Sequence, residues 1–194
     1  MGERLTDLRI DLAARSRWNI GYFYAGLLFW LYAAVIGWLF PVQIAKIYWL
    51  IGTSFIVPMA VFASKILGAD PFSKGNPLGE IVGYTHISVL GMMLPVILIA
   101  AFRYPDLMIL VMAIAFSLDF FLLSWAFGSR LFGIHAAVRT AVVSFIWLAW
   151  PAERTWLIPA AVALAYGTTV VLLPGRLRKW QAAHSSPLVH ADAI

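Results

Sequence analysis

The sequence has no cysteine and very little charge. The first absence excludes disulfides, thiolate metal sites and a cysteine nucleophile. The second says more about the fold. Only 12% of the 194 residues are charged and 62% are apolar, whereas globular chains carry about a quarter charged and about half apolar. A water-soluble core of this size cannot hide so much apolar surface. Several signatures are also missing: a P-loop, a Gly-x-Ser-x-Gly elbow, a His-Glu-x-x-His pair and a dinucleotide fingerprint. Nucleotide hydrolysis and serine hydrolase chemistry are therefore poor fits. No His-x-x-x-His or Glu-x-x-His spacing offers metal ligands, and no cofactor is expected.

What is present is long apolar blocks, at roughly 19–40, 43–66, 78–102, 105–127, 131–150 and 155–174. Each approaches the length of about 20 residues that a helix needs to cross a bilayer. The expected fold is all-α, a polytopic membrane helix bundle of six transmembrane helices. Pro41, Pro105 and Pro151 mark tight connections on one side, because proline restrains the residue before it and has no backbone donor. Pairs of small residues at four-residue spacing (Gly79 and Gly83, Ala33 and Gly37, Ala163 and Gly167) are positions where helices can approach closely.

Ahead of the first block, Leu5, Leu8 and Leu12 recur at helical spacing with Arg4, Asp7, Asp11 and Arg15 on the other side. This predicts an N-terminal interfacial amphipathic helix over residues 3–17. The apolar block that follows is too long for a signal-peptide core and reads as a retained anchor. Three regions result: a cytoplasmic interfacial helix at 1–18, a six-helix transmembrane domain at 19–174, and a flexible cytoplasmic tail at 175–194.

The net charge of +5 does not form the polar stripe of a nucleic-acid binder, so no nucleic acid is expected as a partner. The basic residues lie at block ends. Arg4, Arg9, Arg15, Arg17, Lys65, Lys74, Arg130, Arg176, Arg178 and Lys179 fall on one side; Lys46, Arg103 and Arg154 fall on the other. The positive-inside rule then puts both termini in the cytoplasm of a cell with an inner membrane. Trp38, Trp49, Trp147, Trp150 and Trp156 gather near the opposite ends of the blocks, where amphipathic rings favour the interface.

Ionisable residues within apolar blocks are costly and mark candidate sites. Here they are Glu80, His86, Asp119, His135 and Arg139. Asp119 and Arg139 are equally far from Ser129 in the turn joining the fourth and fifth helices, so on antiparallel neighbours they reach one level, on the order of 10 Å inside the boundary. His135 is one turn from Arg139 on the same face, and His86 has a similar depth. An Asp119–Arg139 ion pair that only locks two helices together is one reading. The other is a polar pocket in which Asp119, His86 or His135 moves protons as the catalytic group and Arg139 holds an anion. In the loop Lys74-Gly-Asn-Pro-Leu-Gly-Glu80, Asn76 and Pro77 make an N-cap and a first helical residue. The free amides there, with Lys65, Lys74 and Arg130, form a second candidate for binding a substrate phosphate or carboxylate, with Glu80 at the same helix start a further substrate-binding candidate, against a plain capped helix start beside positive-inside charge in which Glu80 only favours the helix dipole.

Gly52 to Pro58, Lys65 to Gly68, Lys74-Gly-Asn-Pro-Leu-Gly79 and Phe127-Gly-Ser-Arg130 together resemble a bacterial family of small integral membrane proteins known only as a domain of unknown function. The likeness covers roughly residues 45–140, and the Asn-Pro-Leu-Gly turn is its sharpest motif. It implies about six helices and no activity. The chain departs from that family's pattern at Asp119, where a basic residue is expected, and near Thr85 and His86, where an acidic one is.

The residues favour a cytosol-facing intramembrane pocket between the third, fourth and fifth helices for an amphipathic or anionic small molecule, with membrane lipids as partners. An enzyme of lipid or isoprenoid metabolism would suit such a pocket. A small-solute transporter or channel, and a noncatalytic scaffold or partner subunit, are the alternatives. The oligomeric state is left open.

Overall fold

The computed structural model describes residues 2–184, and all the regular structure among them is helical. Helix α1 (Gly2–Ser16) is followed by α2 (Ile20–Leu39), α3 (Val42–Thr53), α4 (Ile56–Ile66) and α5 (Pro77–Arg103). Then come α6 (Pro105–Ala115), α7 (Phe120–Ala126), α8 (Arg130–Ala149) and α9 (Arg154–His184). Helices α2, α5, α8 and α9, and α6 with α7 as one unit, are each long and apolar enough to cross a membrane. Helices α3 and α4 make a sixth span if taken together, bent by 45°. This is a multi-pass membrane bundle of the kind the six apolar blocks predict.

Local chemistry sets the boundaries. Arg17, Trp18 and Asn19 all have positive φ, of 47°, 57° and 55°. That turn separates the amphipathic α1 from the apolar α2. Phe40 is extended ahead of Pro41, which caps α3, as the steric demands of proline require. Pro105 opens α6. Gly128, at φ 60°, makes the turn between α7 and α8 in a region that costs glycine little. Helix α9 runs through Pro159 and Pro174 to His184, ten residues past the end of the last apolar block. The rest of the expected tail, 185–194, lies outside the described residues.

Helix α2 is the axis of the bundle. Phe23, Phe29 and Trp30 are among the largest side chains that it buries, and it packs along α9 and α4. The fit is tight at small residues. A Cβ on Gly37 would lie 2.2 Å from the Thr155 carbonyl oxygen, and one on Gly21 would lie 2.6 Å from that of Ala60. Gly37 therefore supports the close approach expected of the Ala33 and Gly37 pair. Gly83 does not act in this way, since a Cβ there would meet nothing. Helix α5 is the opposite of α2. It leaves Tyr84, Ile87, Met92 and Phe102 mostly exposed, an apolar exterior that suits lipid rather than water.

Helix α1 buries Leu12 and Ala13 while Arg4, Asp7 and Arg15 stay outside. It is fastened to the α4–α5 loop by polar contacts. The Asp70 amide donates to the Arg15 carbonyl at 2.8 Å, Arg15 Nη1 to the Lys74 carbonyl at 2.9 Å, and Arg17 Nη1 to the Leu67 carbonyl.

Candidate functional site

The polar layer forms where one span is interrupted. Helix α6 ends at Ala115, and the amides of Ser117 and Leu118 bond back three residues, to Ile114 and Ala115, before α7 begins at Phe120. Turns of this tighter kind rotate everything that follows about the helix axis. Asp119, at the end of the interruption, consequently points at α5. Its carboxylate Oδ2 is hydrogen-bonded to His86 Nδ1. Asp119 is 7% exposed, and the edge of Tyr22 meets His86 at 5.7 Å between ring centroids.

This arrangement replaces the Asp119–Arg139 ion pair anticipated from helix depth. The two residues share a layer, but the broken helix aims the carboxylate elsewhere, and among the described residues no carboxylate lies within ion-pair distance of Arg139. Arg139 is 2% exposed, and none of its three guanidinium nitrogens makes a hydrogen bond. Its guanidinium lies over the rings of Phe120, at 5.0 Å, and Tyr166, at 5.4 Å. His135, one turn earlier on α8, is also buried. Its ring stacks on Phe120 at 4.8 Å and 12°, its Nδ1 contacts Thr169 Oγ1 of α9 at 2.8 Å, and its Nε2 has no partner.

His135 and Arg139 also line a groove of about 340 Å³ between α8 and α9, within the range of about 300–1,000 Å³ usual for small-molecule sites. Ile134, Val138 and Val142 of α8 and Leu164 and Leu172 of α9 complete much of its wall, and all five are exposed. The groove thus runs along the side of the bundle between the fifth and sixth spans, and not inside the third, fourth and fifth. Phe120 connects the two polar pairs: it follows Asp119 directly and touches His135 and Arg139.

The remaining candidates do not join this layer. Asn76 caps α5, with Oδ1 accepting from the Leu78 amide at 2.9 Å. Its Nδ2 donates to the Leu8 carbonyl at 2.9 Å and to Asp11 Oδ2 at 2.8 Å. Both polar atoms of that side chain are thus engaged within the protein, Oδ1 in capping α5 and Nδ2 in tying α1 to the loop. Lys74, Glu80 and Arg130 are exposed near helix starts and form no ion pair among the described residues. Arg130 is nine residues before Arg139 on α8, about 14 Å along the axis. No group of three or more potential metal-ligating side chains occurs among the described residues.

Sequence reasoning missed Phe23, Phe120, Tyr166 and Thr169, which surround His135 and Arg139. Against a background of 15% aromatic residues, no single ring stands out. Thr168 and Thr169 carry the one usable signal, two adjacent hydroxyls in an otherwise mostly apolar stretch of α9.

A model of a family of unknown function, DUF7010, matches residues 5–175. The chain belongs to this family. The match spans nearly all the helices, well beyond the 45–140 stretch that carried the resemblance noted above, and it brings no activity with it. No curated protein and no solved structure matches the chain.

Proposed function

We propose that this protein binds an anionic amphipathic molecule from the surrounding bilayer in the α8–α9 groove, with the acid group at Arg139 and the apolar chain along Ile134, Val138, Val142, Leu164 and Leu172. The distribution of Lys and Arg further supports an inner-membrane location with both termini in the cytoplasm. One observation carries the reading: an almost fully buried arginine borders the groove, its guanidinium set beside Tyr166 with, among the described residues, no carboxylate within ion-pair distance and no hydrogen bond of normal geometry.

Desolvating a cation costs several kcal/mol after relaxation. Contacts with two aromatic faces return about 2 kcal/mol or more each when desolvated, but they satisfy none of the guanidinium N–H donors. An anion at Arg139 supplies the missing compensation, and the adjoining apolar wall selects one with a hydrocarbon chain. His86 and Asp119 compensate each other, so their role in this reading is to hold α5 against the interrupted span, and the reading needs no catalysis from them. Native mass spectrometry of the gently extracted protein tests the proposal. Wild type should retain an acidic lipid or metabolite that a folded Arg139→Met variant loses. Equal retention by both would refute it.

A further inference from the structure

Resting on that reading, the hydrogen bonds around His135 specify more of the ligand. Thr169 Oγ1 has two close neighbours, the Ala165 carbonyl at 3.0 Å and His135 Nδ1 at 2.8 Å. A hydroxyl has one proton and a carbonyl oxygen can only accept. The arrangement that makes both contacts hydrogen bonds has Thr169 donating to Ala165 and accepting from an Nδ1–H of His135. A neutral His135 then presents a lone pair at Nε2, which is buried and without a partner. His135 and Arg139 are four residues apart on α8, so their side chains are neighbours on one face, and both line the groove.

Behind the groove wall, closed off from its open side, two complementary functions therefore lie side by side: Arg139, which can only donate, and His135 Nε2, which accepts. We infer that the ligand is a single-chain lipid acid carrying a hydroxyl donor next to its anionic oxygen, with the anion on Arg139 and the O–H donating to His135 Nε2. A hydroxylated fatty acid meets this description with its carbon-bound hydroxyl. An alkyl phosphate monoanion meets it with the remaining P–OH. A plain fatty acid satisfies Arg139 but leaves the buried acceptor empty, and sites built to hydrogen-bond a hydroxyl discriminate against analogues that lack it.

The test is calorimetric titration of the purified full-length protein in detergent with laurate, β-hydroxylaurate and lauryl phosphate. Wild type should bind at least one donor-bearing acid about tenfold more tightly than laurate, the ratio expected of one hydrogen bond to a buried acceptor. His135→Phe, shown to be folded by its thermal transition in detergent, should lose the preference for the donor-bearing acid over laurate. Thr169→Val, which removes the group that fixes the ring proton, should reduce the preference without abolishing laurate binding. Which of the two donor-bearing probes wins identifies the source of the hydroxyl. Equal affinity of wild type for all three acids, or a preference that survives in His135→Phe, overturns the inference while leaving the anion site standing. Failure of wild type to bind any of the three overturns the site as well.

Discussion

Two pairs of polar residues meet at Phe120, and only one of them has its charge matched within the protein. His86 and Asp119 are bonded to each other across α5 and the break between α6 and α7. His135 and Arg139 sit at the same level and are more deeply buried than His86, with three guanidinium nitrogens lacking hydrogen bonds and a ring nitrogen that, like His86 Nε2, has no partner. The complete pair has its own neutralising group and is sufficient as a helix clamp. The incomplete pair adjoins a groove. A buried charge that a protein leaves unmatched at an opening is where a ligand has most to contribute, because the desolvation has already taken place.

Four substitutions probe this contrast. Phe120→Ala removes the ring that touches His135, Arg139, Phe23 and Tyr166. It should cost about 3–5 kcal/mol, the usual range for a buried aromatic, read as a large fall in thermal stability in detergent. Asp119→Ala strips His86 of its partner and should cost about 1–3 kcal/mol in the same assay. Asn76→Ala deletes a helix cap and two bonds to α1. A loss of about 1 kcal/mol is expected, together with faster hydrogen exchange confined to α1 and the α4–α5 loop. Arg139→Met exchanges an unmatched cation for an apolar side chain. Without ligand its stability should stay within about 1 kcal/mol of wild type, or rise. If Arg139→Met instead falls as far as Asp119→Ala, the two pairs are energetically alike and the contrast is lost.

Much of the fold is legible in the sequence, since bilayer thickness fixes span length and prolines punctuate the turns. Five of the six apolar blocks coincide with the helices to within a few residues, the sixth stops ten residues short of the end of α9, and Asn76 with Pro77 does open α5. Depth was legible for the same reason: rise per residue is constant, so counting from Ser129 brings Asp119 and Arg139 to one level. Rotation was not. Which way Asp119 points depends on the tightened turn at residues 116–119, and Phe116-Ser-Leu-Asp119 contains neither proline nor glycine to announce it. The bend between α3 and α4 at Ser54 and Phe55 is silent in the same way. The groove escaped notice because its walls are ordinary valines, leucines and isoleucines, identical in type to residues that simply face lipid. Asn76 shows the reverse difficulty. Its capping role was legible, but its bonds to α1 come from a residue 68 positions away, and no local pattern records them.

The most direct test of the account is the thermal shift produced by laurate in wild type and in Arg139→Met. A ligand at about a hundred times its dissociation constant stabilises its target by roughly 2.7 kcal/mol. A saturable upward shift is expected in wild type and none in Arg139→Met, with the ligand-free variant within about 1 kcal/mol of ligand-free wild type or above it. A variant that is strongly destabilised, or one that laurate stabilises as much as wild type, would show that Arg139 is a structural charge whose partner lies within the protein.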